Sequence, residues 1–116
     1  MLNSGDVLDL DLGSPTGREA GFVHPAVVVT TQAVLNGEPS VIHVVPMTST
    51  IREFGSEVLV ARDRGNRLTE DSAAQCQHIR AVSRDRVVAV RGNVGPMVLR
   101  QIRETIGLLL DVPIPL

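Results

Sequence analysis

The chain has 116 residues, a formal net charge of -2 and no lysine, so its 11 basic side chains are all arginine. That balance argues against a binder held mainly by phosphate charge, and Phe22 and Phe54 alone are too few for a base-stacking platform. A lone Cys76 excludes an intramolecular disulfide or a thiolate metal cage, and no apolar run approaches a membrane span, so one soluble, cytoplasmic domain over residues 1–116 is expected.

Asp6–Leu12 alternates, with Leu8, Leu10 and Leu12 on one face and Asp9 and Asp11 on the other, which predicts a half-buried first strand. A polar loop carrying Glu19 follows. The next stretch organises the chain. Pro25 holds His24 extended at the lip of a strand, and Ala26–Thr31 is too continuously apolar for a half-exposed edge. Asn36-Gly37-Glu38-Pro39 predicts a hairpin turn into a second buried strand, Val41–Thr48. That strand runs into the hydroxyl cluster Thr48, Ser49 and Thr50. Pairing of these two strands would gather polar groups from their ends over one mouth of the core.

Ser49–Gly55 reads as a polar loop with Arg52 and Glu53, Glu57–Ala61 as a short strand, and Arg62–Asp71 as a loop with at most one helical turn. Ser72–Ser83 is ambiguous, with strand favoured in its second half, and Arg86–Arg91 is a further strand closed by Gly92-Asn93. The period then changes. From Gly95-Pro96 onward, Val98, Ile102, Thr105, Ile106, Leu109 and Leu110 form one apolar stripe, a terminal helix stopped by Val112-Pro113. Short strands at regular intervals with one terminal helix predict a mainly β fold, a small barrel with a C-terminal α-helix.

In order and spacing these segments resemble the MazF/PemK family of toxin–antitoxin toxins over nearly the whole chain. The resemblance is carried by Gly5-Asp6-Val7 leading to Asp11-Leu12, and by Gly17, Glu19 and Gly21 before Pro25-Ala26-Val27-Val28-Val29. Val45-Pro46-Met47-Thr48-Ser49, Ser56-Glu57-Val58, Asp71-Ser72 with Gln77, Ile79 and Arg80, and Arg91-Gly92 continue it. It implies an SH3-like barrel, a homodimer, an acidic antitoxin as partner, and cleavage of single-stranded RNA (mRNA or rRNA) without metal or other cofactor. The products it implies are a 2′,3′-cyclic phosphate and a 5′-hydroxyl. The family usually has arginine directly before this proline; here His24 stands there, while the family threonine is present as Thr48. The resemblance makes His24, Thr48 and Glu19 candidate catalytic residues, and Ser49, Arg52, Gln77, His78 and Arg80 candidate RNA contacts.

Histidine exchanges a proton near neutrality, whereas arginine supplies charge alone. His24 therefore suits acid or base duty, Thr48 a hydrogen bond to a phosphate oxygen, and Glu19 the orientation of His24. Each has a plainer reading: a rim histidine, a turn of hydroxyls bonding its own backbone, and a solvated loop carboxylate. His43, in step with Val41 and Val45, belongs to the core or the outer face rather than to chemistry. The alternative function is a toxin-like protein with weakened or lost catalysis that acts by binding, as the CcdB-like gyrase poisons do on a similar barrel.

Overall fold

The computed structural model describes residues 1–13 and 23–113. Its strands are β1 (Asp6–Asp11), β2 (Val23–Val28), β3 (Val41–Thr48), β4 (Glu57–Val60), β5 (Ser72–Gln75), β6 (Arg80–Ser83) and β7 (Val87–Asn93). Two α-helices, α1 (Gln32–Leu35) and α2 (Gly95–Leu109), complete the regular elements together with short 3-10 turns at Cys76–His78 and Arg84–Arg86. All strand pairs are antiparallel, in the order β4-β5-β3-β2-β1-β7, with β6 also on β3.

The apolar runs of β2 and β3 are explained by two cores, one on each face of the central strands. Val7, Val27, Val45 and Met47 point to one face, where Leu99 and Ile102 of α2 cover them. Their neighbours Leu8, Leu10, Ala26, Val28, Ile42 and Val44 point to the other and pack with Leu35 and Val82. Strand alternation thus splits one apolar sequence between two cores.

The connection from β2 to β3 is not the expected hairpin turn at Asn36-Gly37. Gln32–Leu35 forms one helical turn closed by bonds from the N–H groups of Asn36, Gly37 and Glu38 to the carbonyls of Gln32, Val34 and Leu35. The driving force is Leu35, buried in the second core. β2 also ends earlier than expected, at Val28, and the Arg103 guanidinium of α2 donates to the carbonyls of Val29 and Thr30 beyond it.

Ser72–Ser83 contains two strands, not one favoured in its second half. The 3-10 turn at Cys76–His78 separates them, and both halves pair with the same edge of β3: β5 at Met47 and Thr48, β6 from Val41 to Val44. β7 continues through Gly92-Asn93, where the sequence suggested closure. Gly92 lies so close to the 65–66 backbone that a Cβ there would sit 2.2 Å from the Gly65 carbonyl oxygen, so only glycine fits. In α2 the anchors are Leu99 and Ile102, with Val98 and Ile106 packed beside them. Leu109 and Leu110, expected on the stripe, are exposed, because the helix ends at Leu109 and Asp111 turns the chain with a φ of 54°.

Candidate active site

β1, β2 and β3 place the second-core residues and the candidate site on one continuous face. In the register Leu8 and Leu10 lie across from Ala26 and His24, and Val28 and Ala26 across from Val44 and Pro46. Cross-strand partners share a face, so His24 and Pro46 prolong the row begun by Val28, Ala26 and Val44. The β2–β3 ladder ends at Ala26 and Pro46, and His24 and Thr48 each lie two residues beyond it on their own strands. On the far edge of β3, Arg80 lies across from Val44 and joins this face.

Where the second core ends, the face opens into a cavity of about 320 Å³ lined by Leu12, His24, Pro46, Gln75, His78 and Arg80. Pro46 sits in β3 with no N–H to donate, and the 3-10 turn beyond Gln75 swings His78 and Arg80 to the rim. Of the expected residues, the structure therefore brings His24, His78 and Arg80 together. Imidazoles beside a guanidinium are suited to an anionic phosphodiester, offering both charge and exchangeable protons.

The remaining candidates are placed differently. Thr48 is half-buried at the end of β3, and its hydroxyl oxygen accepts the Thr50 N–H at 3.1 Å, which leaves the hydroxyl proton available to donate. The expected turn of hydroxyls that bonds its own backbone is thus present and is compatible with a site role. Ser49 is exposed beside it. Arg52 is committed to Glu57, 2.8 Å from its carboxylate, and its guanidinium lies 4.7 Å over the Phe54 ring. Gln77 donates to the same carboxylate at 2.7 Å. Glu19 lies outside the described residues. His43 is exposed on the first-core face of β3 and lines a cavity with Ile79, Arg103 and Ile106, its backbone exchanging bonds with the Thr30 hydroxyl.

Sequence reasoning missed Gln75 and Glu57. Glu57 opens β4 with a side chain only 2 % exposed, and its Oε2 accepts from Arg52, Gln77 and Gln75, the last at 3.3 Å. Burial pushes this carboxyl up, but the hydrogen bonds from Gln77, Arg52 and Gln75 together hold it below its ordinary value. Glu57 and Gln75 are register partners on β4 and β5, a juxtaposition visible only once the sheet is assembled. Cys76 is inert: burial pushes its thiol up to about 11, and Sγ lies against the carbonyls of Ala74 and Ile102. Among the described residues no three His, Cys, Asp or Glu side chains gather as metal ligands, and no helix is long and apolar enough to cross a membrane.

A mainly antiparallel sheet with one C-terminal helix on its first core is the architecture of the MazF toxins. A MazE–MazF structure from Deinococcus radiodurans aligns with a TM-score of 0.77 at 23% identity, covering 97% of this chain and 97% of that one. An endoribonuclease in complex with its cognate antitoxin, from a mycobacterial species, aligns with a TM-score of 0.77 at 22% identity over 99% and 100%. In sequence the chain is 33% identical to endoribonuclease MazF9 of Mycobacterium tuberculosis over 118 aligned positions, 97% of this chain and 98% of the relative. The profile of the PemK-like, MazF-like toxins of type II toxin–antitoxin systems matches residues 3–110. The chain belongs to this PemK/MazF family, and the fold expected from its sequence is the fold it has.

Proposed function

We propose that this protein is a sequence-specific endoribonuclease toxin that cleaves single-stranded RNA at the cavity beside His24, with Thr48 completing the site. The observation that carries this reading is the convergence of His24, His78 and Arg80 on one cavity that Pro46 also lines, two residues before Thr48 on β3. The reaction is an internal displacement. The ribose O2′ bonds to phosphorus, the P–O5′ bond breaks, the O2′ proton passes to a base, and the departing O5′ takes a proton from an acid. The products are a 2′,3′-cyclic phosphate and a 5′-hydroxyl. His24 exchanges a proton, the Arg80 guanidinium offsets charge that builds on the phosphate oxygens, and Thr48 donates its free hydroxyl proton to one of them. Glu19 is assigned to orient His24. Ser49, His78 and Arg80 hold the RNA strand, and Arg52 and Gln77 shape the site's wall.

The protein acts in the cytoplasm as a two-fold homodimer, and its partner is a cognate acidic antitoxin, in keeping with the antitoxin complexes solved for similar folds. The test is incubation of the purified protein with a long single-stranded RNA in EDTA, followed by mapping of the ends. Cuts at a recurrent short sequence with 5′-hydroxyl ends are expected. RNA left intact, or cleavage only with added divalent metal, overturns the mechanism.

A further inference from the structure

A buried carboxylate costs stability unless it is paired, and even when paired it seldom improves on a well-packed apolar side chain. Glu57 therefore calls for a reason beyond stability, and its partners supply one. Arg52 comes from the segment that follows Thr48 and Ser49, whereas Gln75 and Gln77 flank the start of the turn that carries His78 to the cavity rim. All three donors converge on Oε2 of this one side chain, and the Cys76 N–H also bonds to the carbonyl of Ser56 beside it. Glu57 thus ties the segment behind the catalytic threonine to the crossover that lines the cavity.

The chemistry of this node also fixes an orientation. An ionised carboxylate only accepts, so an amide that bonds to it must turn its NH2 group inward. Gln75 donates Nε2 to Glu57 and at the same time lines the cavity with His24, His78 and Arg80. Its carbonyl oxygen is the other branch of the same planar group and so is turned away from the carboxylate that Nε2 binds. The polar node is also tightly enclosed: Oε1 of Glu57 and Oε1 of Gln77 are buried, with no hydrogen-bond partner among the described residues.

We propose that Glu57 is a positioning residue of the RNA site, which holds the Gln75 amide so that its carbonyl oxygen reads an N–H group on a nucleobase of the bound strand. Gln75 is then a specificity-determining residue, and the base edge it selects is one that offers an exocyclic amino or ring N–H. Near-isosteric Glu57→Gln removes the acceptor-only constraint and lets the Gln75 amide turn over, so the acceptor is no longer fixed.

The inference rests on the nuclease reading, and the experiment separates the two. Wild type, Glu57→Gln, Gln75→Ala and the double variant are given a randomised single-stranded RNA pool, and the base frequencies around the cut are sequenced. Rates are normalised to folded protein. Both single variants should relax the same one position of the motif and lower kcat/KM on the preferred sequence by roughly tenfold. The double variant should be no worse than Gln75→Ala, because both act through one contact. Ile102→Val, a conservative change in the other core, controls for lost stability and should leave the motif unchanged. If Glu57→Gln fails to fold, Gln75→Ala at the half-exposed site carries the test. A wild-type motif in Gln75→Ala, or additive losses in the double variant, overturns the inference while the nuclease stands. A wild-type protein that cuts no RNA overturns both.

Discussion

The two ends of one sheet face make an instructive contrast. At one end Leu8, Val28, Ile42 and Val44 are fully or almost fully buried and close over Leu35 and Val82. At the other, β2 and β3 present His24 and Pro46 to an open cavity, with Leu12 just past the end of β1. Strand alternation sends both sets the same way, and the β2–β3 ladder ends between them, at Ala26 and Pro46. Among the described residues, the site is therefore built on strands anchored by the core a few residues away, which is how polar groups are held for chemistry. The contrast predicts that substitutions at the two ends separate rate from stability.

The largest expected effect is at the open end. Thr48→Ala should lower RNA cleavage by about 10²- to 10³-fold, the scale of losing one donor to a developing anionic oxygen. Its unfolding free energy should stay within about 1 kcal/mol of wild type, since the hydroxyl only accepts from the Thr50 N–H. A Thr48→Ala protein that cleaves normally would remove the threonine from the mechanism. Growth arrest that persists with RNA intact and DNA supercoiling impaired would instead point to a gyrase target.

At the packed end the expectation reverses. Ile42→Ala empties space in a core where Ile42 is 0% exposed, and it should cost about 2–5 kcal/mol in urea unfolding. The cleavage rate per folded molecule should hold, because Ile42 points into the second core and not into the cavity. A rate loss larger than the loss of folded protein would show that the two ends are mechanically coupled.

How much of this was legible beforehand follows from the range of the interactions involved. β1 and α2 carry their own periods, two and near 3.6, while β3 and β4 are short apolar-rich runs, so all four were readable locally. The single turn α1 was not, because four residues are too few to show a helical period and its stability comes from burying Leu35. β5 was obscured by its small residues: Ala73 and Ala74 look neutral in sequence, yet both are buried because β5 lies between β3 and β4. In the site, His24 announced itself through the following proline and the family resemblance. Glu57 and Gln75 did not, since each is ordinary alone and they meet only through β4–β5 pairing. Arg52 is a candidate RNA contact in the sequence, but its pairing with Glu57 five residues on is not visible there.

The next comparison is within the site. His24→Arg restores the charge usual before this proline but replaces an imidazole, which can transfer a proton, with a guanidinium, which supplies charge alone. If His24 transfers a proton, as proposed, cleavage should drop by about 10²-fold, the low end of general acid–base catalysis. His24→Ala should fall further, having neither proton nor charge. Both are measured as initial rates on one oligonucleotide with the fold checked by circular dichroism. An arginine variant faster than wild type would show that the position needs charge alone.

The smallest effect concerns the Glu57 node and has a definite sign. Its carboxyl lies below the ordinary value of 4.5 in the folded protein, because the hydrogen bonds from Gln77, Arg52 and Gln75 outweigh the cost of burial. A depressed folded pKa means that the unfolded chain takes up the proton more readily on acidification. The stabilising contribution is therefore complete well above pH 4.5 and is lost progressively as pH falls from about that value through the lower folded pKa. Glu57→Gln cannot titrate and should lack this component. Urea midpoints measured from pH 7 to pH 3 should therefore decline less steeply at the acid end in the variant than in wild type, whatever their offset at neutral pH. Other carboxylates contribute equally to both curves, so the difference isolates Glu57. Parallel acid limbs would show that the three hydrogen bonds do not favour the ionised form over the protonated one.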